Sequence, residues 1–96
     1  MIRPIAVKPT ADYKLLLTFS NGEKKLFDVR PYLDMPFFSR LKDKEIFNQV
    51  FVNDYTVEWK NGCDIAPHEL YDDSVSYNGE VVPSAKLEQL RYNGVG

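Results

Sequence analysis

Residues 13–29 read YKLLLTFSNGEKKLFDV, two apolar runs separated by an Asn-Gly pair, which is a typical β-hairpin signal. A two-residue loop would place Leu15 opposite Asp28 and mix apolar with charged side chains on one face. A three-residue loop pairs Leu15 with Phe27 instead, between strands predicted from Tyr13 to Phe19 and from Glu23 to Val29. Because a slip of one residue turns every side chain to the other face, we predict the longer loop, in which Gly22 takes a positive φ in a G1 bulge.

A second Asn-Gly pair lies within residues 55–66, YTVEWKNGCDIA, where alternation predicts a strand from Tyr55 to Lys60 with Cys63 to Ala66 as its hairpin partner. The three-residue loop is favoured again, because Trp59 then faces Cys63, while Glu58 faces Asp64 on the other side. The second hairpin therefore collects its apolar side chains on one face. The residues that we predict to form the structural turns are Asn21, Gly22, Asn61 and Gly62.

These patterns predict an α+β fold, a small antiparallel sheet of two hairpins with short helices packed on one face. Asp43 is a candidate N-cap for a helix over residues 44–49, and Pro67 suits the first position of a second helix. We predict a single domain over residues 1–75. Residues 76–96 are predicted to be a C-terminal extension, for which a weak hairpin, a short helix and a mobile tail are open alternatives.

The composition is that of one small globular domain, with 96 residues, 44% hydrophobic and 27% charged. The net charge of −2 gives no electrostatic footprint for nucleic acid or for an anionic membrane. The single cysteine, Cys63, excludes an intrachain disulfide, which favours a reducing cytoplasm. The longest apolar run is far too short to cross a bilayer, so we expect no association with a membrane.

Some apolar side chains are left without a place in this core. Leu16 and Leu26 pair on the face that points away from Leu15, so either the chain's own helices cover them or they form the contact of a homodimer. Phe37 and Phe38 are adjacent and cannot both point inward on one face. We therefore predict an interaction surface at Leu16, Leu26, Phe37 and Phe38, which would bind a protein partner or a second copy.

The densest basic stretch runs from residue 40 to residue 44. Arg40, Lys42 and Lys44, together with nearby aromatic residues, could bind a nucleic acid strand by charge and stacking. Acidic residues at positions 34, 43 and 45 dilute this patch, which favours a solvated surface.

Candidate chemistry is sparse. Cys63 and His68 are the only thiol and the only imidazole, and such a pair could activate a nucleophile or contribute to a metal site. Cys63 lies on the same predicted face as Trp59, which favours a core residue. The carboxylates of Glu69 and residues 72–73 are interpreted as a solvated helix end. We predict no catalytic residues, no metal and no cofactor.

Asp28 and Asp64 each follow a hairpin and begin an Asp-(Val or Ile)-x-Pro segment. Short carboxylates at such positions accept backbone N–H groups where a chain leaves a sheet. We interpret both residues as turn caps, with a pair of active-site carboxylates as the alternative.

Several segments, in their order and spacing, resemble a known family. They are DYKL at 12–15, FSNGE at 19–23, FDVRPYL at 27–33 and EWKNGCDIAP at 58–67, together with Leu41, Phe47, Leu70 and Tyr71. Over residues 4–75 they are similar to the small bacterial domain-of-unknown-function family 2442. The resemblance implies a compact α+β fold and a bacterial cytoplasmic origin. It supplies no catalytic residues.

The resemblance also bears on function. Some members carry a helix-turn-helix DNA-binding domain behind this unit, and their gene neighbourhoods suggest a toxin–antitoxin or regulatory role. The residues that follow the match here are too few for such a DNA-binding domain. Our first hypothesis is a non-enzymatic protein-interaction or regulatory module. A nucleic-acid-binding accessory domain ranks second, and a small enzyme using Cys63 and His68 ranks third.

Overall fold

The structure is a computed structural model, and it describes residues 1–77 of the chain. The strands are β1 (Pro4–Pro9), β2 (Lys14–Phe19), β3 (Lys24–Asp28), β4 (Phe51–Val52), β5 (Val57–Glu58) and β6 (Val75–Ser76). The helices are α1 (Lys44–Phe47), α2 (Pro67–Asp72) and two 3-10 helices, Arg30–Tyr32 and Pro36–Lys42. These elements confirm the α+β class.

The larger sheet is antiparallel and has the strand order β1-β2-β3-β6, while β4 and β5 pair in a separate two-stranded sheet. The two Asn-Gly hairpins therefore lie in different sheets instead of sharing one. β1 forms an edge of the larger sheet. Its first and last residues, Pro4 and Pro9, suit that position because proline cannot donate to a central ladder.

The first hairpin has the predicted register. Leu15 pairs with Phe27, and Leu16 pairs with Leu26. The Gly22 amide donates to the Phe19 carbonyl at 2.9 Å, and Gly22 has φ +88°. Both observations confirm the three-residue loop with a left-handed glycine.

The second hairpin also has the predicted register but a shorter ladder. The Trp59 amide donates to the Cys63 carbonyl at 2.8 Å, and Gly62 has φ +91°. The strand predicted from residue 55 begins only at Val57, because the Asn53 side chain accepts the backbone amides of residues 55 and 56 at 2.8 and 2.7 Å. That turn holds the chain out of the extended conformation until Val57.

The core lies between the inner face of the larger sheet and the layer that the second hairpin and the helices form. The indole N–H of Trp59 donates to the Phe47 carbonyl at 2.9 Å, so the largest buried side chain is also hydrogen-bonded. The buried apolar residues are Leu15, Leu17, Phe19, Phe27, Val29, Leu33, Leu41, Phe47, Val57, Trp59, Cys63, Ile65 and Leu70.

Both predicted helix starts are confirmed. The Asp43 side chain accepts the Glu45 amide at 2.9 Å, and Pro67 is the first residue of α2. α1 ends at Phe47, two residues before its predicted end. The Gln49 amide donates to the Ile46 carbonyl at 3.1 Å. This bond spans three residues, as in a 3-10 helix, instead of the four of an α-helix, and it ends α1.

β6 joins the sheet at the edge opposite β1, where Val75 pairs with Leu26. Ser76, which the sequence assigned to the extension, is thus part of the sheet through its pairing with Lys25. The hairpin and the helix considered for the rest of the extension lie outside the described residues.

Candidate functional site

A groove with a volume of about 430 Å³ opens where β3, the first 3-10 helix and α2 meet. We call it the Tyr32 groove. It is lined by Phe27, Asp28, Pro31, Tyr32, Met35, Glu69 and Asp73. Volumes of this order are typical of ligand and side-chain binding sites.

Asp28 caps the turn at the end of β3, where the chain begins to line the groove. Its carboxylate accepts the Arg30 backbone amide at 2.9 Å and pairs with the Arg30 guanidinium at 2.8 Å, which confirms the predicted turn cap. Partial burial favours a higher pKa for Asp28, but the hydrogen bonds from Arg30 outweigh it and lower the pKa. The 3-10 helix that follows, with Pro31 in its first turn, then places Tyr32 over the sheet.

An aromatic row leads from the sheet through the groove to the surface. Ring centroids are 5.8 Å apart for Phe27 and Tyr32, 5.2 Å for Tyr32 and Phe38, and 5.6 Å for Phe38 and Phe37. Phe38 is half-buried, whereas Phe37 is 66% exposed and Met35 is 47% exposed. The row therefore extends the apolar lining of the groove into solvent.

Carboxylates supply the polar side of the groove. The Tyr32 hydroxyl donates to a Glu69 carboxylate oxygen at 3.2 Å. Burial, assisted by the negative charges of Glu69 and Asp73, raises the pKa of Tyr32 to about 12. Within residues 1–77, neither Glu69 nor Asp73 forms an ion pair. The groove thus combines apolar walls with two carboxylates that have no cationic partner in the part of the chain that the structure describes.

Comparison with known proteins gives one result. A family model described as "Protein of unknown function (DUF2442)" matches residues 4–76. The chain belongs to this family. No curated protein and no solved structure matches it. The resemblance seen in the sequence is thereby confirmed, and it comes without an activity.

In this DUF2442 chain, the four residues of the predicted interaction surface lie in two separate places. Leu16 and Leu26 are half-buried and pair on the outer face of the larger sheet. Phe37 and Phe38 belong to the second 3-10 helix, on the side of the inner face, where Phe38 contacts Tyr32. The sheet separates the two pairs, and only the phenylalanines join the Tyr32 groove.

In this DUF2442 chain, two of the three residues of the predicted basic patch contact other groups of the chain. Lys44 donates to the Ala11 carbonyl at 2.7 Å, and the Lys42 ammonium lies 3.7 Å from the Asp34 carboxylate. Arg40 is exposed. Lys44 therefore holds the loop before β2 in place through its hydrogen bond. The charge of the basic patch is partly neutralised by neighbouring carboxylates.

Cys63 is a core residue, as predicted, with only 1% exposure. Its thiol donates to the Phe37 carbonyl at 3.1 Å, and burial raises its pKa, which opposes formation of a thiolate. His68 is exposed on α2. Among residues 1–77 there is no group of three side chains suited to hold a metal ion.

The sequence did not identify the groove in this DUF2442 chain. Tyr32 and Glu69 are 37 positions apart, and no periodicity links them. In sequence, Glu69 and Asp73 have the pattern of a solvated helix end, because their position beside Tyr32 depends on how α2 packs. Among residues 1–77, no helix is long and apolar enough to cross a membrane.

Proposed function

We propose that this chain is a non-enzymatic protein-interaction module whose partner binds at the Tyr32 groove and the exposed end of the aromatic row. The observation that carries the proposal is the continuity of an apolar groove with two large exposed side chains, Met35 and Phe37. Exposed apolar surface continuous with a groove marks binding sites in soluble domains. Aromatic residues and methionine are also enriched in protein interfaces.

The chemistry of the groove supports binding. The Tyr32 phenol is protonated at neutral pH, like an ordinary phenol, and its hydroxyl donates to Glu69. Asp28 is held by Arg30. These groups are therefore arranged to fix the shape and charge of a surface.

We further propose that the module acts in the bacterial cytoplasm as the regulatory member of a two-protein pair of the toxin–antitoxin type. The buried, free thiol of Cys63 supports a reducing compartment. A regulatory member needs a surface for its partner, and the Tyr32 groove with the aromatic row offers one.

Capture of the partner from the native cell tests the proposal. The full chain serves as bait, as wild type and as Met35→Ser, Phe37→Ser and Tyr55→Ser. Tyr55 is a matched control, since it is 61% exposed and lies outside the groove and the aromatic row. We expect the Met35 and Phe37 changes each to reduce capture about tenfold, as central interface contacts do, and the Tyr55 change to leave it unaltered. Equal capture by all four baits would exclude the groove as the binding site.

A second candidate function is self-association through the outer face of the larger sheet. Leu16, Leu26 and Val75 lie side by side there on neighbouring strands, and Val75 is 62% exposed. A two-fold contact would bury this row against its own copy. Sedimentation velocity tests it: a dimer that becomes a monomer in Leu26→Lys supports self-association, and a wild-type monomer rules it out.

A further inference from the structure

We propose that the Tyr32 groove receives a basic side chain, preferentially arginine, from an apolar segment of the protein partner. This inference rests on the proposed function and specifies the chemistry of the partner.

The apolar walls fit the stem of a long basic side chain. Phe27, Pro31 and Met35 line the groove, and its volume of about 430 Å³ exceeds that of a single side chain. Arginine and lysine pack their methylene groups along such surfaces and keep the charged group at a polar edge. Apolar neighbours in the partner segment would contact the exposed parts of Met35 and Phe37.

The charged edge fits the head of the same side chain. Glu69 and Asp73 lie four positions apart, and the Asp73 amide donates to the Glu69 carbonyl at 2.9 Å, so both side chains lie on one side of α2. Both line the groove, and within residues 1–77 neither is neutralised. The third carboxylate, Asp28, already pairs with Arg30. As far as residues 1–77 are concerned, two negative charges are thus left to attract a cation from a partner.

An aromatic ring and two carboxylates in the same groove favour arginine over lysine. A planar guanidinium can stack on the Tyr32 ring while it donates to two carboxylates, whereas an ammonium is a compact and more strongly hydrated charge. The same negative charge disfavours the phosphates of a nucleic acid.

Binding of two matched peptides to the full chain tests the inference. The first peptide has arginine between two leucines, and the second has neutral citrulline in place of arginine; both are acetylated and amidated. Methyl NMR of the methionines reports binding, because Met35 lines the groove, while Met1, the only other methionine, is 95% exposed and serves as an internal control. We expect a saturable shift at Met35 alone and about tenfold weaker binding of the citrulline peptide, the loss of one charge-assisted contact.

Variants of α2 give the second arm of the test. The double variant Glu69→Gln with Asp73→Asn should bind the arginine peptide at least about tenfold more weakly than the wild type does. Asp72→Asn removes an exposed charge from the same helix outside the groove lining and should leave binding unchanged. If the double variant fails to fold, the comparison of the two peptides on the wild type still decides.

Three results would overturn the inference: no shift at Met35, equal binding of the two peptides, or unchanged binding to a folded double variant. These are distinct from failure of the proposed function. Partner capture that is lost in Phe37→Ser, with equal binding of the two peptides, removes the arginine preference and leaves the interaction site in place. Partner capture that is indifferent to Met35 and Phe37 removes the interaction site itself.

Discussion

At the scale of single residues, two glycines hold a conformation that other residues rarely adopt. Gly22 and Gly62 have φ of +88° and +91°, and each closes a three-residue loop. Apart from the two adjacent residues of the chain, a Cβ added at either position would find no atom within 4 Å. The cost of replacing these glycines is therefore confined to the backbone conformation.

We expect Gly62→Ala to lower the free energy of unfolding by roughly 1–2 kcal/mol, the cost of a left-handed conformation for a residue with a Cβ. Gly22→Ala should cost about the same, because its surroundings are equally open. Urea denaturation measures both. Gly62→Asn is the control. Asparagine tolerates this region better than alanine, so this variant should lose less stability than Gly62→Ala. An alanine variant as stable as the wild type would show that the bulge is not required.

At the scale of elements, α1 shows how a very short helix is held. It has four residues, too few to be stable alone, and depends on its cap and on burial of Phe47. The Phe47 ring centroid lies 5.2 Å from that of Tyr13 and 6.0 Å from that of Trp59. The cap thus positions a side chain on which the centre of the core depends.

Removal of the cap in Asp43→Ala should destabilise the protein by about 1 kcal/mol. Asp43→Asn should retain most of the stability, because an amide oxygen can still accept the Glu45 amide. Asp34→Ala is a matched control for loss of a surface carboxylate, since that side chain is 93% exposed, and should change stability by less than about 0.5 kcal/mol. Thermal unfolding monitored by circular dichroism would resolve these differences. Equal effects of the two alanine changes would indicate a general charge effect instead of a cap.

The elements also show what the sequence could predict. The register of each hairpin could be predicted because the wrong register places apolar side chains opposite charged ones. Both predicted registers are confirmed. The residues at which the strands begin could not be predicted from the sequence in the same way. The strand predicted to begin at Tyr13 begins at Lys14, because Tyr13 itself has φ +66°, a conformation that no periodicity reveals. β5 is likewise shortened by the hydrogen bonds of the Asn53 side chain.

At the scale of the whole molecule, the Tyr32 groove joins residues from β3, a 3-10 helix and α2. Each contributes side chains that look ordinary in sequence, and only packing brings Tyr32 to Glu69. The exposure of Phe37 could be predicted from the sequence, because two adjacent phenylalanines cannot share one inward face. The position of the carboxylates beside Tyr32 could not be predicted.

The raised pKa of Tyr32 links the whole fold to pH. Burial and the charges of Glu69 and Asp73 raise it from 10.0 to about 12, so the folded protein keeps this proton after the unfolded chain has lost it. The contribution to stability is complete below pH 10 and is lost as the pH rises towards 12. We expect the urea midpoint to fall over this interval less steeply in Tyr32→Phe than in the wild type. Parallel pH profiles for the two proteins would contradict a role for this phenol.

The prolines of β1 have a consequence for the behaviour of many copies together. A free sheet edge is a template on which identical chains can stack into fibrils. Pro9 stands at one end of the β1 edge and lacks the amide hydrogen that an incoming strand would need, while Pro4 at the other end is fully buried. Fibril growth from this side is therefore disfavoured, and the chain can keep an exposed apolar groove at high concentration without this edge seeding aggregation.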